Sequence, residues 1–354
     1  METETGRAKT GSGCPKNGVR LPGTADGGRK TGQGHFFGGP VVASSGFRSG
    51  PVPRCVVGPV RALCYTPPMH TFVNLPLSWV AGDPAWLNRF VADGLAPELG
   101  IDTFAVQELS EDWHRDIARR LADAGLPCAV HLPFFDLHPG SLNNSVLTAS
   151  RDTLRRAAEL ATLYAPRHMV GHAAFDHSQH DAALDAWLER ACGTWAAVLG
   201  ACDAPVHIEN THERDPEPVA ALVDALVLQF GARAGICFDA GHWHSFARGA
   251  QRRDMRRWLD AFAPRLAHLH LHDNDGSDDQ HLGLGTGTIP LDDLFGGLIA
   301  RGLHPTATLE PHDEASFAVS RAWLAARKHY AGVLTPPNAP VAAPAATSAD
   351  ASGA

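Results

Sequence analysis

Histidine and carboxylate side chains end six consecutive apolar runs of this sequence. In the stretch ICFDAGHWH, the apolar run ends in Asp239, and His242 follows about one helical turn later. A further pair, Asp279 and His281, follows the fifth of the six runs. Imidazoles and carboxylates together are common ligands of divalent transition-metal ions. The residues that end the six runs are His131, His172, Glu209, Asp239, His270 and Glu310.

Metal binding has to be weighed against coincidence. A single histidine at a strand end is usually a hydrogen-bonded loop residue, and the chain contains 20 histidines. Carboxylates are much less tolerated in buried positions, and three of them at one place repel one another. Because a divalent cation removes that repulsion, we favour metal binding. In the run HLHLHD, His268, His270 and His272 share one strand face, so the register there leaves a choice among them.

The mixture of ligand types indicates which metal ions fit. Imidazole with carboxylate suits Zn, Mn, Fe or Co better than Mg or Ca, and we expect Zn. The candidate ligands exceed what one ion can take, so two or three ions per chain, bridged by a carboxylate, fit the count. Glu209, central in strand order, is the expected bridge. We expect Glu209, Glu310 and His242 to take part in catalysis.

The elements that would position these residues alternate regularly between about residues 70 and 334. Eight short apolar runs are each followed by a longer run with apolar residues at helical spacing. Eight strand–helix units in this length predict a (β/α)8 TIM barrel, whose active site lies at the C-terminal ends of the strands. A doubly wound open sheet is the alternative, but no glycine-rich nucleotide-binding motif follows a first strand. The eight predicted strands are residues 71–75, 102–107, 128–132, 167–172, 205–210, 234–239, 266–272 and 306–311.

The two ends of the chain differ from this patterned region. Residues 1–68 are rich in Gly, Pro and small polar residues, and we expect them to be disordered. They are either a genuine tail or a misassigned extension before a native start at Met69. Residues 69–334 would form the barrel, and the Ala- and Pro-rich residues 335–354 a disordered tail.

The charge and the cysteine content of the chain indicate which substrates and which cellular compartment to expect. The net charge is −8, and residues 70–354 hold 21 Lys and Arg against 35 Asp and Glu. An acidic body argues against tight binding of long nucleic acid, and a small-molecule substrate is the better expectation. No run is long and apolar enough for a membrane helix, so we expect no membrane association. Seven cysteines without CxxC spacing, and an N-terminus unlike a secretory signal, favour a cytoplasmic location.

The motifs HIENT, CFDAGH, HLHD, LGLGTG and LEPH resemble those of the xylose isomerase-like barrels, also called AP endonuclease family 2. The resemblance covers about residues 70–330. In its endonuclease IV branch three zinc ions occupy the barrel mouth. The resemblance implies that His131, His172 and Glu209 share the first ion, and that Glu209 bridges to a second. That second ion would also bind Asp239, His270 and Glu310, and the third would bind His242, Asp279 and His281. Thr286 departs from the Gly-Glu-Gly usual in that branch.

The same superfamily contains sugar and sugar-phosphate isomerases and epimerases, which need one metal. There the equivalents of Glu209 and Glu310 would exchange a proton with the sugar carbon. The single metal of those enzymes would bind the equivalents of Glu209, Asp239, His270 and Glu310. The other five candidate ligands are not needed for that chemistry, so we favour metal-assisted hydrolysis of a small phosphoester or phosphodiester. The resemblance extends to cobamide-remodelling phosphodiesterases, which implies a nucleotide-like substrate. A barrel that only binds a ligand is disfavoured, because all nine candidate ligands are retained.

Overall fold

A closed barrel of eight parallel strands forms the centre of the part of the chain that the structure describes. The computed structural model describes residues 70–340 of the 354-residue chain. The extension predicted over residues 1–68 lies outside the described residues, as does most of the tail predicted over residues 335–354. Each strand pairs in parallel with the next along the chain, and the eighth strand pairs with the first to close the barrel. The predicted (β/α)8 TIM barrel is therefore confirmed.

The strands are short and mostly buried on both faces. Most of their residues are apolar, as expected when helices cover the outside of a parallel barrel, and Glu98, His207, His268 and His270 are among the exceptions. The strands are β1 (Phe72–Pro76), β2 (Pro97–Gly100), β3 (Ala129–His131), β4 (Met169–His172), β5 (Val206–Glu209), β6 (Ala234–Asp239), β7 (Leu266–Leu271) and β8 (Thr306–Leu309).

Helices follow the strands and pack around the barrel. Long amphipathic helices cover the outside, and several shorter helices belong to the connecting loops. The helices are α1 (Leu77–Gly82), α2 (Ala85–Asp93), α3 (Thr103–Glu108), α4 (Glu111–Asp123), α5 (Asn144–Ala161), α6 (His177–His180), α7 (Leu184–Ala201), α8 (Glu217–Phe230), α9 (Ala240–Ser245), α10 (Gly249–Arg252), α11 (Met255–Phe262), α12 (Leu291–Arg301), α13 (Glu314–Ala326) and α14 (Lys328–Ala331).

The predicted second strand was wrong. Residues 102–107 were expected to be extended, but most of them form α3, and β2 lies upstream at Pro97–Gly100. Asp102 begins the helix because its side chain accepts a hydrogen bond from the Ala105 N–H, as an N-cap does. The short apolar run was compatible with a strand or a helix, and the N-cap at Asp102 favours the helix.

Close packing between helices and strands uses both large and small residues. Trp187, Trp195 and Trp258 are completely buried. Gly171 in β4 allows α7 to approach closely, because an added Cβ there would lie 2.3 Å from the ring of Trp195. These side chains pack against the strands that carry the candidate ligands. This packing holds the ends of the strands in place.

Two further findings concern cysteines and membranes. The four cysteines within residues 70–340 are free, with no disulfide among them. In the same part of the chain, none of the helices has the length and apolarity required to cross a bilayer.

Candidate metal centre

The pairing register brings the candidate ligands to one end of the barrel. His172 lies opposite Glu209 on the neighbouring strands β4 and β5. Asp239 lies opposite His270 on β6 and β7. Glu310 follows the last residue of β8 and its N–H donates to the Leu271 carbonyl. Because the strands are parallel, these side chains meet at the C-terminal mouth, the usual location of active sites in such barrels.

Three carboxylates surround one ring nitrogen at the centre of the mouth. His270 Nδ1 lies 3.2 Å from Glu209 Oε1, 3.4 Å from Glu310 Oε1 and 3.8 Å from Asp239 Oδ2. All four residues are at least nine-tenths buried. Such a convergence of buried carboxylates is unfavourable unless a positive charge balances it. The second group implied by the resemblance is therefore assembled in this geometry.

Glu98 lies behind His270 and was missed from the sequence. Its Oε1 is 3.1 Å from His270 Nε2, and the carboxylate is almost completely buried. The carboxylate of Glu98 thus contacts one ring nitrogen of His270 and leaves the other nitrogen facing the mouth. A carboxylate in this position commonly orients a metal-binding histidine. The signal existed in the sequence as a charged residue inside PELG, but the apolar pattern placed the second strand downstream of it.

Two histidines lie on one side of Glu209. His131 Nε2 is 3.1 Å and His172 Nε2 is 3.2 Å from Glu209 Oε2. Potential ligand atoms of these three residues lie within 4.8 Å of one another. Since the other oxygen of Glu209 faces His270, its carboxylate spans two candidate ion positions, as expected for a bridging ligand.

A third group of potential ligands lies beside the central carboxylates. Asp279 Oδ2 is 3.3 Å from His242 Nε2 and 3.0 Å from His281 Nε2. His272 also belongs to this region, because its Nε2 is 3.3 Å from Asp239 Oδ2 and 3.6 Å from Asp279 Oδ1. The sequence showed that His272 shares a face with His270, but it did not indicate that both reach the mouth.

Hydrogen bonds to backbone carbonyls orient three of these imidazoles. In each case Nδ1 lies close to a carbonyl oxygen: His131 to Leu132 at 2.8 Å, His242 to Asn210 at 2.9 Å, and His281 to Glu310 at 2.7 Å. An N–H donated there leaves Nε2 with its lone pair. These Nε2 atoms are the ones that face the carboxylates, so the ring orientation suits ion binding.

Asp239 has two roles at the start of α9. Its Oδ1 caps the helix by accepting the His242 N–H at 2.7 Å, while Oδ2 faces the imidazoles. Asn210 holds the backbone of Asp239 through two hydrogen bonds of 3.0 Å. Gly241 leaves room for His272, because an added Cβ would lie 1.9 Å from its ring. The motif CFDAGH therefore combines a candidate ligand, a helix cap and a close approach between Gly241 and His272.

The loop after β7 positions Asp279 and His281. Asp273, which is buried, accepts hydrogen bonds from the N–H groups of Gly285 at 2.9 Å and Ile289 at 3.0 Å. Its backbone also pairs with that of Leu282 in both directions. The motifs HLHD and LGLGTG are thereby joined into one folded loop, which explains how residues far along the loop return to the mouth.

The proton affinities of the mouth residues reflect crowding of charge. Burial raises the pKa of Glu310 to about 7, against the effect of His270, and the carboxylates of Asp239 and Glu209 add to the increase. Burial alone would lower the pKa of His242, but Asp239 and Asp279 raise it well above its usual value. Without a cation, Glu310 and His242 therefore retain protons, and a metal ion would have to displace these protons in order to bind.

Unsatisfied polar atoms support the fit to metal ions. Among residues 70–340, His270 Nδ1 and Asp279 Oδ1 are buried without a hydrogen-bond partner. An imidazole nitrogen and a carboxylate oxygen are both atoms that coordinate Zn²⁺ readily. The ligand types and the unpaired atoms fit divalent transition-metal ions.

Metal affinity is expected to depend on pH. Ion binding must displace protons from Glu310 and His242, so the affinity for Zn²⁺ should increase about tenfold or more from pH 6 to pH 8. Conversely, the raised pKa of Glu310 stabilises the metal-free fold at low pH, and this contribution is lost as pH rises through about 7. Calorimetric titrations in buffers of different ionisation enthalpy measure the proton release. Glu310→Gln should weaken the pH dependence, and an affinity independent of pH would contradict the assignment.

Solved structures similar to this chain include a zinc-soaked protein, an endonuclease IV and a D-psicose 3-epimerase. The TTHB071 protein of Thermus thermophilus, solved after soaking with ZnCl2, is 27% identical, with a TM-score of 0.57 over 73% of this chain and 99% of that one. Endonuclease IV of the same organism is 21% identical, with a TM-score of 0.53 over 73% and 100%. D-psicose 3-epimerase of Clostridium cellulolyticum H10 is 12% identical, with a TM-score of 0.57 over 74% and 99%. The last two likenesses show the fold alone.

Sequence comparison also identifies a relative and a family. MJ1311 of Methanocaldococcus jannaschii is 26% identical over 166 residues, which are 45% of this chain and 56% of that protein. The match thus spans little more than half the length of that relative. The family model described as "Xylose isomerase-like TIM barrel" matches residues 94–327. This match covers most of the barrel, and the chain therefore belongs to the xylose isomerase-like TIM barrel (AP endonuclease 2) family.

Proposed function

We propose that this protein is a multinuclear metal-dependent hydrolase of a small phosphodiester, with zinc as the fitting metal. The observation that carries the proposal is the pair of ligand groups flanking the central cluster. His131 and His172 lie against one oxygen of Glu209, and His242 and His281 lie against Asp279. One ion cannot contact both groups together with the central carboxylates, so two or three ions fit the arrangement.

Metal ions in such a centre lower the pKa of a bound water and neutralise charge on phosphoryl oxygens. In the metal-free centre the pKa of Glu310 is about 7, because burial favours its protonated form and neighbouring carboxylates add to the effect. As a metal ligand Glu310 would lose that proton, so in the loaded centre it would act as a carboxylate that holds an ion. Glu209, held between imidazoles on both sides, has a pKa well below its usual value, remains ionised and fixes the spacing of the centre.

Aromatic side chains beside the centre favour a substrate with a flat or apolar part. Phe134 stacks on the His172 ring at a centroid distance of 4.4 Å and is 40% exposed. Phe135 follows it and is 71% exposed. Exposed aromatic rings at a catalytic mouth offer a stacking surface for a nucleobase or similar ring. This supports a nucleotide-like substrate, including the cobamide class that the sequence resemblance implies.

A cavity lined by loops of the same barrel end favours a negatively charged substrate. Its volume is ≈ 850 Å³, and its lining includes Arg214, Arg248 and Arg252 from the loops after β5 and β6. Arg252 is held by Asp215 at 2.8 Å. Guanidinium groups recognise phosphate well. The otherwise acidic barrel thus has a cationic surface where a phosphorylated molecule could approach the centre.

One arginine provides a test of that approach. Arg248→Ala should raise KM for a nucleotide-like phosphodiester about tenfold and change kcat little, because a charge that contacts the ground state and transition state equally affects binding. Arg253→Ala is the matched control, since Arg253 is also exposed but does not line the cavity. Steady-state kinetics measure both variants. Equal KM values for the two variants would exclude this cavity from substrate binding.

A single-metal isomerase or epimerase is the second candidate. The observation that favours it is the arrangement of Glu209 and Glu310, whose Oε1 atoms lie 3.2 and 3.4 Å from His270 Nδ1. Two carboxylates beside one ion position could remove and return a proton at a sugar carbon. The flanking groups would then have no role in the reaction, which is why we place this candidate second.

The two candidates are separated by one experiment on the zinc-loaded and manganese-loaded protein. Hydrolysis of an activated aryl phosphodiester and of small nucleotide phosphodiesters is measured beside deuterium uptake from solvent into ketoses and ketose phosphates. The proposal predicts metal-dependent hydrolysis and no deuterium uptake. Deuterium uptake without hydrolysis would overturn it in favour of the isomerase, and neither activity across both panels would also count against it.

A further inference from the structure

A second group of histidines lies inside the barrel, below the mouth. His168 precedes β4, His207 lies in β5 and His268 lies in β7. His207 and His268 are each two residues before a mouth residue on the same strand, so their side chains point inward one step deeper. All three are more than nine-tenths buried. This interior cluster is separate from the nine candidate ligands already described.

The ring nitrogens of the interior cluster converge. Potential ligand atoms of the three histidines lie within 4.8 Å of one another. The ring centroid of His168 is 4.3 Å from that of His268 and 4.6 Å from that of His207. A tetrahedral zinc site would bring its ligand atoms to about 3.3 Å separation, from Zn–N distances of about 2.0 Å. Small side-chain movements would therefore close the cluster on one ion.

Glu98 provides a fourth potential ligand for this cluster. Its Oε2 lies 3.2 Å from His268 Nε2 and 3.9 Å from His168 Nε2. The hydroxyl of Thr308 also donates to this oxygen at 2.6 Å. One carboxylate and three imidazoles form a ligand set that suits Zn²⁺ and neighbouring divalent metals. The other oxygen of Glu98 faces His270, so the same carboxylate joins the interior cluster to the mouth.

Two nitrogens of the interior cluster are unsatisfied. Within the described part of the chain, His168 Nε2 and His207 Nδ1 are buried and have no hydrogen-bond partner. Leaving such atoms desolvated is unfavourable, and buried polar side chains usually have a partner. The backbone also provides space, since an added Cβ at Gly235 would lie 3.0 Å from the His207 ring. Simple core packing does not explain why two imidazole nitrogens are buried here without a hydrogen-bond partner.

We propose that His168, His207 and His268, together with Glu98, form an interior binding site for one divalent transition-metal ion. The site is closed to substrate, so its ion is structural and stabilises the barrel below the reaction centre. Closed sites of this kind differ from catalytic ones, which keep an open position. Through Glu98 the ion also helps to fix His270. This inference does not depend on the reaction that the mouth performs.

The test is a zinc count on the full-length protein. Wild type and the His168→Leu/His207→Leu variant are loaded with Zn²⁺, desalted and analysed by elemental mass spectrometry. The variant should hold one zinc fewer per chain, and zinc should raise its Tm less than that of wild type. His114→Gln is the control, because His114 is buried but bonded to Tyr164 and to the Ala105 carbonyl. It should keep the wild-type zinc count.

Two outcomes would overturn the interior site. The first is an unchanged zinc count in the folded double variant. If that variant does not fold, anomalous diffraction from zinc-loaded wild-type crystals decides the question. A peak within about 2.1 Å of nitrogens of the three histidines supports the site. A map with peaks at the mouth and none among these histidines overturns it, whatever activity the protein has.

Discussion

Glu209→Gln should reduce kcat by about 10³-fold or more and remove at least one metal ion from the mouth. The reason is the position of Glu209 between two groups, with Oε2 near His131 and His172 and Oε1 near His270. An amide keeps the shape but loses the charge and one acceptor. Steady-state kinetics and the metal content of the purified variant measure both effects.

The matched control for this change is Glu213→Gln. Glu213 is also completely buried, but its oxygens accept hydrogen bonds from the N–H groups of Phe175 and Thr211. That variant should have a lower Tm, because its amide nitrogen faces a backbone N–H that the carboxylate accepted, but the folded protein should keep the metal content and most of the activity. If Glu209→Gln retained normal turnover with a full complement of metal, Glu209 would not be the bridging residue and the centre would need a different assignment.

His281→Ala separates a multinuclear centre from a mononuclear one. If an ion bound by His242, Asp279 and His281 contacts the phosphate, losing His281 should lower kcat about 10²-fold, similar to the loss of a preorganised electrostatic group. In a mononuclear isomerase His281 would not bind the ion, and the effect should be mild and mostly in KM. Kinetics on the substrate that is turned over distinguish the two results.

His304→Ala is a suitable comparison for the His281 variant. The Nδ1 of His304 lies 3.0 Å from the Val333 carbonyl, so this histidine also contacts a backbone oxygen, but it precedes β8 and therefore lies at the opposite end of that strand from the mouth. It should leave kcat within about threefold of wild type, since surface and loop substitutions usually have small effects. Near-normal kcat in both variants would exclude the three-ion arrangement.

The strand–helix alternation was strong enough to predict the barrel from the sequence. Buried parallel strands are almost entirely apolar, so a charged or imidazole side chain at the end of a run stands out. Residues such as Glu209 and Asp239 could therefore be assigned to the mouth from the sequence alone. In the structure they lie within a few ångströms of His270. Their role as metal ligands stays a prediction, which the metal content of the variants tests.

Features set by register and loop geometry could not be predicted in this way. Glu98 was missed because the second strand was expected in the run that the Asp102 cap makes helical. His272 was visible as a neighbour of His270 on one strand face. Its reach into the mouth depends on space left by Gly241, which is a contact between different elements of the barrel. A close contact between two residues of different elements does not produce a periodic pattern in a single sequence.

The barrel interior provides one further reason why the centre is well positioned. The Glu98 carboxylate contacts His270 above and His268 below, and Thr308 donates to the same carboxylate. Any ion bound by His270 would thus be oriented by groups from three strands. Rigid strands hold catalytic groups more accurately than loops, and the central cluster is built on strand ends. The Asp279–His281 segment is the part that depends on a loop.

Anomalous diffraction from zinc-loaded crystals would show how many ions the barrel mouth binds. We expect at least two zinc peaks at the barrel mouth, one of them shared between Glu209 and the pair His131 and His172. A second peak should lie beside His270, Asp239 and Glu310, and a third is expected beside His242, Asp279 and His281. A single peak beside His270, with the flanking histidines free of metal after full loading, would contradict the multinuclear centre and favour the isomerase.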